Sequence, residues 1–299
     1  MEEKTKRSNK IKRSAGEWVF DTCNVIFMIL IMFITLYPFW YVTVCSFSNP
    51  MSVDAGMIFW WPDAFQTGSY EEVFAIDYFW NSYLNTIILS VGGTVISLIA
   101  TMLSAYPLSK KRLWGRKFFT LAMIVTMYFA AGMIPRFLIF KAVGVMNNLF
   151  MYMLAFCMTP FYIILMRTYF QSISESLEES AKLDGASDWK VLVKIYIPLS
   201  VPAIMTIGLY YFVGRWNSYF WEMILLRDAD KVPLQVLLRK LIVEQQAQGE
   251  LANESGEVTK SQQTIIYATI VVAALPMLII YPFVQKFFVK GIMVGAVKG

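Results

Sequence analysis

YFWNSYLNTIILSVGGTVISLIATMLSAYPLS, Tyr78–Ser109, contains no Asp, Glu, Lys or Arg, and a cluster of five cations follows it at once: Lys110, Lys111, Arg112, Arg116 and Lys117. About 20 apolar residues suffice for a helix to cross the hydrocarbon core of a bilayer. Only helices and closed barrels can span, because every backbone polar group must be satisfied internally. The apolar residues here run continuously instead of alternating, so the stretch reads as a helix.

The same pattern recurs on either side. Thr22–Val53, Phe118–Pro135, Ala142–Met166, Ile195–Gly214 and Ser261–Gln285 are also free of charge. They predict an all-α membrane protein of six transmembrane helices over about 24–46, 83–107, 118–140, 149–170, 200–226 and 264–287. The domain reading is a basic arm, 1–20, and a six-helix transmembrane bundle, 21–299, with a long loop at 171–199. Composition agrees: 57% of the 299 residues are hydrophobic and 16% charged, and the mean hydropathy is +0.53. Such a balance excludes a disordered chain, a nucleic-acid binder and a disulfide scaffold. The chain has no histidine, which removes His-based acid–base catalysis and most zinc sites. Cys23, Cys45 and Cys157 lie in or beside apolar runs and read as small buried hydrophobes.

Charge asymmetry sets the orientation. With both termini in the cytoplasm, 18 of the 26 Lys and Arg residues fall inside, in the N-terminal arm, the 108–117 loop, the 171–199 loop with Arg167 at its entrance, and the C-terminus. That is the excess the positive-inside rule requires. The first span is expected to stay uncleaved, since its apolar run is too long for a signal peptide and no small-residue cleavage site follows. Trp60, Trp61, Tyr70, Tyr78, Trp80 and Tyr83 crowd the first outer loop. They read as an interfacial aromatic belt or as a docking surface for an extracellular partner.

The 171–199 loop contains Ser174-Glu-Ser-Leu-Glu-Glu-Ser-Ala-Lys-Leu-Asp-Gly-Ala-Ser-Asp-Trp-Lys-Val-Leu-Val-Lys-Ile-Tyr-Ile-Pro198. Ser176 and Glu179 have capping-box spacing and predict a helix from Leu177. Asp184-Gly185 ends it, with Gly185 suited to a left-handed conformation. Ser187 can cap a second helix running to Pro198. Glu179-Ser180-Ala181, three spacers, Gly185, nine residues and Ile195-Tyr196-Ile197-Pro198 resemble the cytoplasmic signature of ABC importer permeases, Glu-Ala-Ala…Gly…Ile-x-Leu-Pro. Ser180 and Ile197 depart from it by small changes of size. Asp184-Gly185-Ala186 is similar to the carbohydrate importers. Asn81-Ser82-x-x-Asn85-Thr86, Ala105-Tyr106, Gly132-x-Ile134-Pro135, Trp216-Asn217, Pro233-Leu234-Gln235 and Gly295-Ala-Val-Lys-Gly299 extend the likeness from residue 20 onward. They point toward the maltose-permease-like family and its complex-oligosaccharide group (aldouronate, lipoprotein-associated).

That resemblance implies a type I ABC importer permease fold whose 171–199 loop is a coupling helix. It would dock in the cleft of a separate ATPase through Glu179, Ser180, Ala181, Asp184, Gly185, Ala186, Ile195 and Pro198. The implied partners are a second homologous permease, packed on the long first span, two ATPase subunits, an extracellular substrate-binding (lipo)protein, an oligosaccharide and membrane lipid. The chain itself binds no cofactor. ATP and Mg belong to the partner ATPases, and no Gly-x-x-x-x-Gly-Lys phosphate loop occurs here.

Sugars are held by hydrogen bonds and by stacking on aromatic rings. Tyr210, Tyr211, Arg215, Trp216 and Asn217 in the fifth span are therefore the candidate substrate pathway, with helix packing as the plain alternative. A mid-span Arg costs about 2.5–3.5 kcal/mol on insertion scales, so Arg215 needs a partner. Glu222, two turns on, is too far for direct pairing but can share its cavity. Gly132 and Pro135 predict a kink in the third span. The 227–263 segment is too long for an ordinary connection. It predicts a short amphipathic helix at Leu234–Val243, facing outside as a meeting surface for the binding protein or as a surface loop. An ion-coupled secondary transporter is the rival reading, with Glu222 its lone intramembrane carboxylate. A membrane enzyme or scaffold leaves the loop motif unexplained.

Overall fold

A computed structural model describes residues 14–129, 131–255 and 263–296. Most of the basic arm, the polar stretch 256–262 and the last three residues, 297–299, lie outside the described residues. Every regular element among the described residues is helical.

Helix α1, Ala15–Ser46, opens with a complete capping box: Glu17 N donates to Ser14 Oγ and Ser14 N to the Glu17 carboxylate. At 1.5 Å per residue its 32 residues extend about 48 Å, well beyond the roughly 30 Å hydrocarbon core. The helix begins nine residues before the predicted span 24–46 and ends with it. Two short helices follow, α2, Pro50–Asp54, and α3, Gly68–Ala75. The deciding stretch forms one helix, α4, Phe79–Ser109, interrupted by a π-helical turn at Ile88–Gly92.

The third and fourth spans are each two helices. The third is α5, Arg116–Tyr128, and α6, Met133–Ala142, the latter capped by Gly132. The expected kink is a full break, with Pro135 in the first turn of α6, where a missing N–H leaves no carbonyl unpaired. The fourth is α7, Leu149–Ala155, and α8, Pro160–Gln171, bent by 59°. Its continuous prediction fails at Thr159-Pro160. The residue before a proline is driven out of the helical region, and Pro160 instead starts the next helix.

Helices α9, Glu175–Leu183, and α10, Asp188–Leu199, form the 171–199 loop. Helix α11, Val201–Trp216, is the body of the fifth span, set at 81° to α10, and the short α12, Phe220–Leu225, follows it. Helix α13, Leu234–Ser255, is longer than the predicted 234–243, and α14, Gln263–Ala296, is the last span.

Helices α4, α8 and α11 enclose the main apolar cluster. Ala105, Ile163, Met166, Phe170 and Ile207 are each at most 2% exposed there. One end of the bundle gathers the 108–117 and 171–199 loops. The other gathers the first loop, α13 and the 143–148 turn. There Asn85 Nδ2 donates to Asp230 O at 2.7 Å, Leu234 N to Thr86 Oγ1 at 2.8 Å and Asn147 N to Leu225 O at 2.8 Å. In contrast α1, from Trp18 to Ile34, is exposed along its apolar length in the single chain.

Candidate functional site

The loop helix α9 starts two residues earlier than its sequence suggests. Ser174, not Ser176, is the N-cap residue, and the two hydroxyls lie 2.8 Å apart instead of serving backbone donors. The end of the helix agrees with expectation. Gly185 has φ +76°, Ala186 N donates to Ala181 O at 2.9 Å and Gly185 N to Lys182 O at 3.0 Å. Those two bonds and the left-handed glycine form a Schellman motif, which satisfies the last carbonyls of α9. Ser187 Oγ then accepts from Lys190 N at 3.3 Å and caps α10. Near its C-terminal end α10 widens into a π turn at Leu192–Tyr196, just before Pro198. A proline lacks the N–H that would meet a carbonyl four residues back, and a π turn accommodates that loss.

The motif residues divide into two sets. Ala181, Ala186 and Ile195 turn inward and pack on the cluster of Tyr106, Phe170 and Tyr196. Glu179, Ser180, Asp184, Gly185 and Pro198 are exposed. Between them Leu183 is 89% exposed, and a Cβ placed on Gly185 would meet nothing within 4 Å. The structure thus presents a rigidly capped turn with acidic groups and one apolar side chain, held from behind.

What holds it is Glu178, not the motif's Glu179 beside it. Glu178 is 9% exposed and pairs with Lys110 from the opposite loop. Lys182 Nζ lies 2.8 Å from the same carboxylate, Arg112 3.7 Å away, and Tyr196 Oη donates to it at 3.1 Å. Burial alone would raise this carboxyl, but bonds from Lys110 and Lys182 and the charge of Lys110 hold it at about 2. Lys110 sits 3.7 Å from the ring centre of Tyr196 and 4.3 Å from that of Tyr106, and burial pulls its ammonium below the ordinary lysine range. Arg112 pairs with Asp188 at the start of α10, which keeps that carboxyl low. The signal was available: five cations at 108–117 face five acids at 171–199, on loops that charge asymmetry assigns to the same side.

The fifth-span candidates are not gathered around one cavity. Tyr211 is 5% exposed; its hydroxyl bonds Thr101 Oγ1 at 2.9 Å and accepts from Thr159 N at 3.3 Å. Arg215 donates to Ser97 Oγ at 2.9 Å and to Phe156 O at 3.0 Å. Phe156 and Thr159 bound the break between α7 and α8. Two polar side chains of α11 therefore satisfy the backbone that this break leaves open at membrane depth. Glu222 is buried and accepts from Ser218 Oγ at 2.8 Å; it makes no ion pair with Arg215 among the described residues. Trp216 is 2% exposed, donates to Ala273 O at 3.0 Å and lies against Tyr83 and Phe212. Only Tyr210 and Asn217 line an open cavity, of about 660 Å³, between α11 and α14, with Val213, Ala274 and Met277 among its walls. No group of His, Cys, Asp or Glu able to hold a metal occurs among the described residues.

Residues 113–294 match the family described as Binding-protein-dependent transport system inner membrane component. The chain is 38% identical over 282 residues to the Polygalacturonan/rhamnogalacturonan transport system permease protein YtcP of Bacillus subtilis (strain 168), covering 94% of this chain and 99% of that one. It is 36% identical to Protein LplC of the same organism, over 94% and 95%. Among solved structures it is similar to a chain of a bacterial ABC transporter involved in the import of the acidic polysaccharide alginate. That match has a TM-score of 0.85 and 41% identity, over 93% of this chain and 100% of that one.

Proposed function

The chain belongs to the binding-protein-dependent transport system inner membrane components, and from that premise we propose that it moves an oligosaccharide into the cytoplasm on ATP hydrolysed elsewhere. It is a multi-pass membrane permease of the ABC importer kind, with the type I fold. The reading of its cargo rests on the relatives, whose names cite polygalacturonan, rhamnogalacturonan and alginate. Both termini lie in the cytoplasm, as the charge asymmetry requires. The basic end then faces separate ATPase subunits, and the opposite end faces an extracellular binding protein. A second permease completes the pathway, and α1, unpacked along most of its apolar length, offers a surface for it.

The observation that carries the coupling role is the capped turn at Gly185. A partner cleft receives Leu183, Glu179 and Asp184 from one side, and the Glu178 cluster returns its displacement to α4 through Lys110. Closure of the ATPases is thereby transmitted to the spans. A complete importer in proteoliposomes tests this: uptake of oligosaccharide that requires ATP is expected. Uptake driven by an ion gradient with this chain alone would overturn it.

A further inference from the structure

This inference rests on the reading of the chain as a carbohydrate permease and concerns the charge of its cargo. Arg136 lies in the first turn of α6, in the second half of the broken third span. Its side chain is exposed, and no carboxylate lies within ion-pair distance of it among the described residues. Its guanidinium stands instead over three rings, 5.5 Å from Trp221 and 5.8 Å from both Phe140 and Phe156. Those rings pack on one another, with centres 5.1 Å apart for Phe140 and Phe156 and 5.6 Å for Phe140 and Trp221. The carbonyl of Phe156 takes the bond from Arg215.

A cation where a span ends is expensive against lipid and faces protein or an aqueous path instead. Ring faces attract the charge of Arg136 but leave its N–H donors without acceptors. A planar fork of donors matches a carboxylate, which it can hold through two parallel bonds. The half-exposed rings of Phe156 and Trp221 beside it offer the apolar faces on which a pyranose stacks. We infer that Arg136, on its shelf of Phe140, Phe156 and Trp221, is a subsite for a sugar ring bearing a carboxylate, so that the permease selects acidic over neutral oligosaccharides.

The test uses the complete importer in proteoliposomes, with oligogalacturonate and oligoalginate as acidic probes and methyl-esterified oligogalacturonate as the neutral one. Wild type is expected to import at least one acidic probe, and Arg136→Gln to lower that uptake at least about tenfold, the loss of one hydrogen bond to a charged group. Arg136→Lys keeps the charge without the planar fork and is expected to fall between the two. The subunits are expected to co-purify in every variant.

Wild-type acidic uptake in Arg136→Gln overturns the subsite. So does import of the neutral probe with rejection of both acids, and so does failure of Arg136→Gln to assemble, which would place the arginine in a subunit contact. In those cases the permease reading stands. Import of no oligosaccharide of either kind, with assembly intact, removes that reading and the subsite with it.

Discussion

Replacing Glu178 by Ala removes the acceptor of Lys110, Lys182 and Tyr196 at once. Lys110 is left 10% exposed between two tyrosine rings with no anion. Breaking a buried pair from one side costs about 3–5 kcal/mol. Two features put the expected loss near the lower bound, about 3 kcal/mol: the tyrosine faces still attract the ammonium, and Arg112 and Asp188 are half exposed and pair without Glu178. Hydrogen exchange in the assembled importer should show faster exchange of backbone amides confined to 108–117 and 175–191, and ATP-driven uptake should fall. The double replacement Lys110→Met with Glu178→Leu should recover most of the loss, because removing both charges leaves nothing unpaired.

The pH dependence has a definite sign. Glu178 is held at about 2 against an ordinary 4.5. A depressed carboxyl contributes stability above its unfolded value and loses it as pH falls toward the folded one. Loop protection should therefore be flat from pH 5 to 8 and decline below about pH 4. Unchanged exchange in Glu178→Ala, or a double variant as damaged as the sum of its singles, would refute the brace.

Three further outcomes follow from particular contacts. Gly185→Val, at φ +76°, should cost about 1–2 kcal/mol of strain and abolish uptake while the protein still inserts, whereas Gly185→Asn, which tolerates that conformation, should keep more activity; equal uptake in both variants and wild type would remove the turn from coupling. Gly93→Ala places a Cβ 2.6 Å from the Arg215 guanidinium and should dislodge it from Phe156 O, lowering stability by about 1–3 kcal/mol in thermal unfolding of the detergent-solubilised protein; an unchanged midpoint would refute the contact. Trp216→Ala should lower basal and substrate-stimulated ATP turnover alike and destabilise the chain by about 3–5 kcal/mol, as a buried tryptophan does; a selective loss of stimulation would return it to the substrate path.

The six spans were legible because charge cannot be hidden in hydrocarbon, so the empty windows of the sequence map the bundle directly. The turn at Gly185 was legible because an Asp-Gly pair followed by a capping serine states its own local geometry. Breaks inside the spans were less so. Hydropathy is blind to backbone direction, and 149–170 reads as one run although Pro160 divides it. Sequence also favoured Glu179 over Glu178. They are adjacent, and only helical phase with the opposite loop decides that Glu178 turns inward to Lys110 while Glu179 stays exposed.

Arg215 shows how a polar residue at membrane depth can be read in two ways, and the geometry favours one of them. Its guanidinium reaches Phe156 O, and Tyr211, one turn earlier on α11, accepts from Thr159 N. Phe156 O has no donor four residues on, because Pro160 lacks an N–H, and Thr159 N lies in the break, yet hydrocarbon demands that both be met. A Pro at 160 and an Arg at 215 thus answer each other across 55 positions of sequence. The break is tolerated because α11 supplies the missing donor and acceptor. Moving α11 against α7 and α8 therefore exposes unpaired backbone unless the three move together. Any movement of these spans that keeps both bonds carries the three as one body, and α14 is tied to it in turn by the bond from Trp216 to Ala273 O.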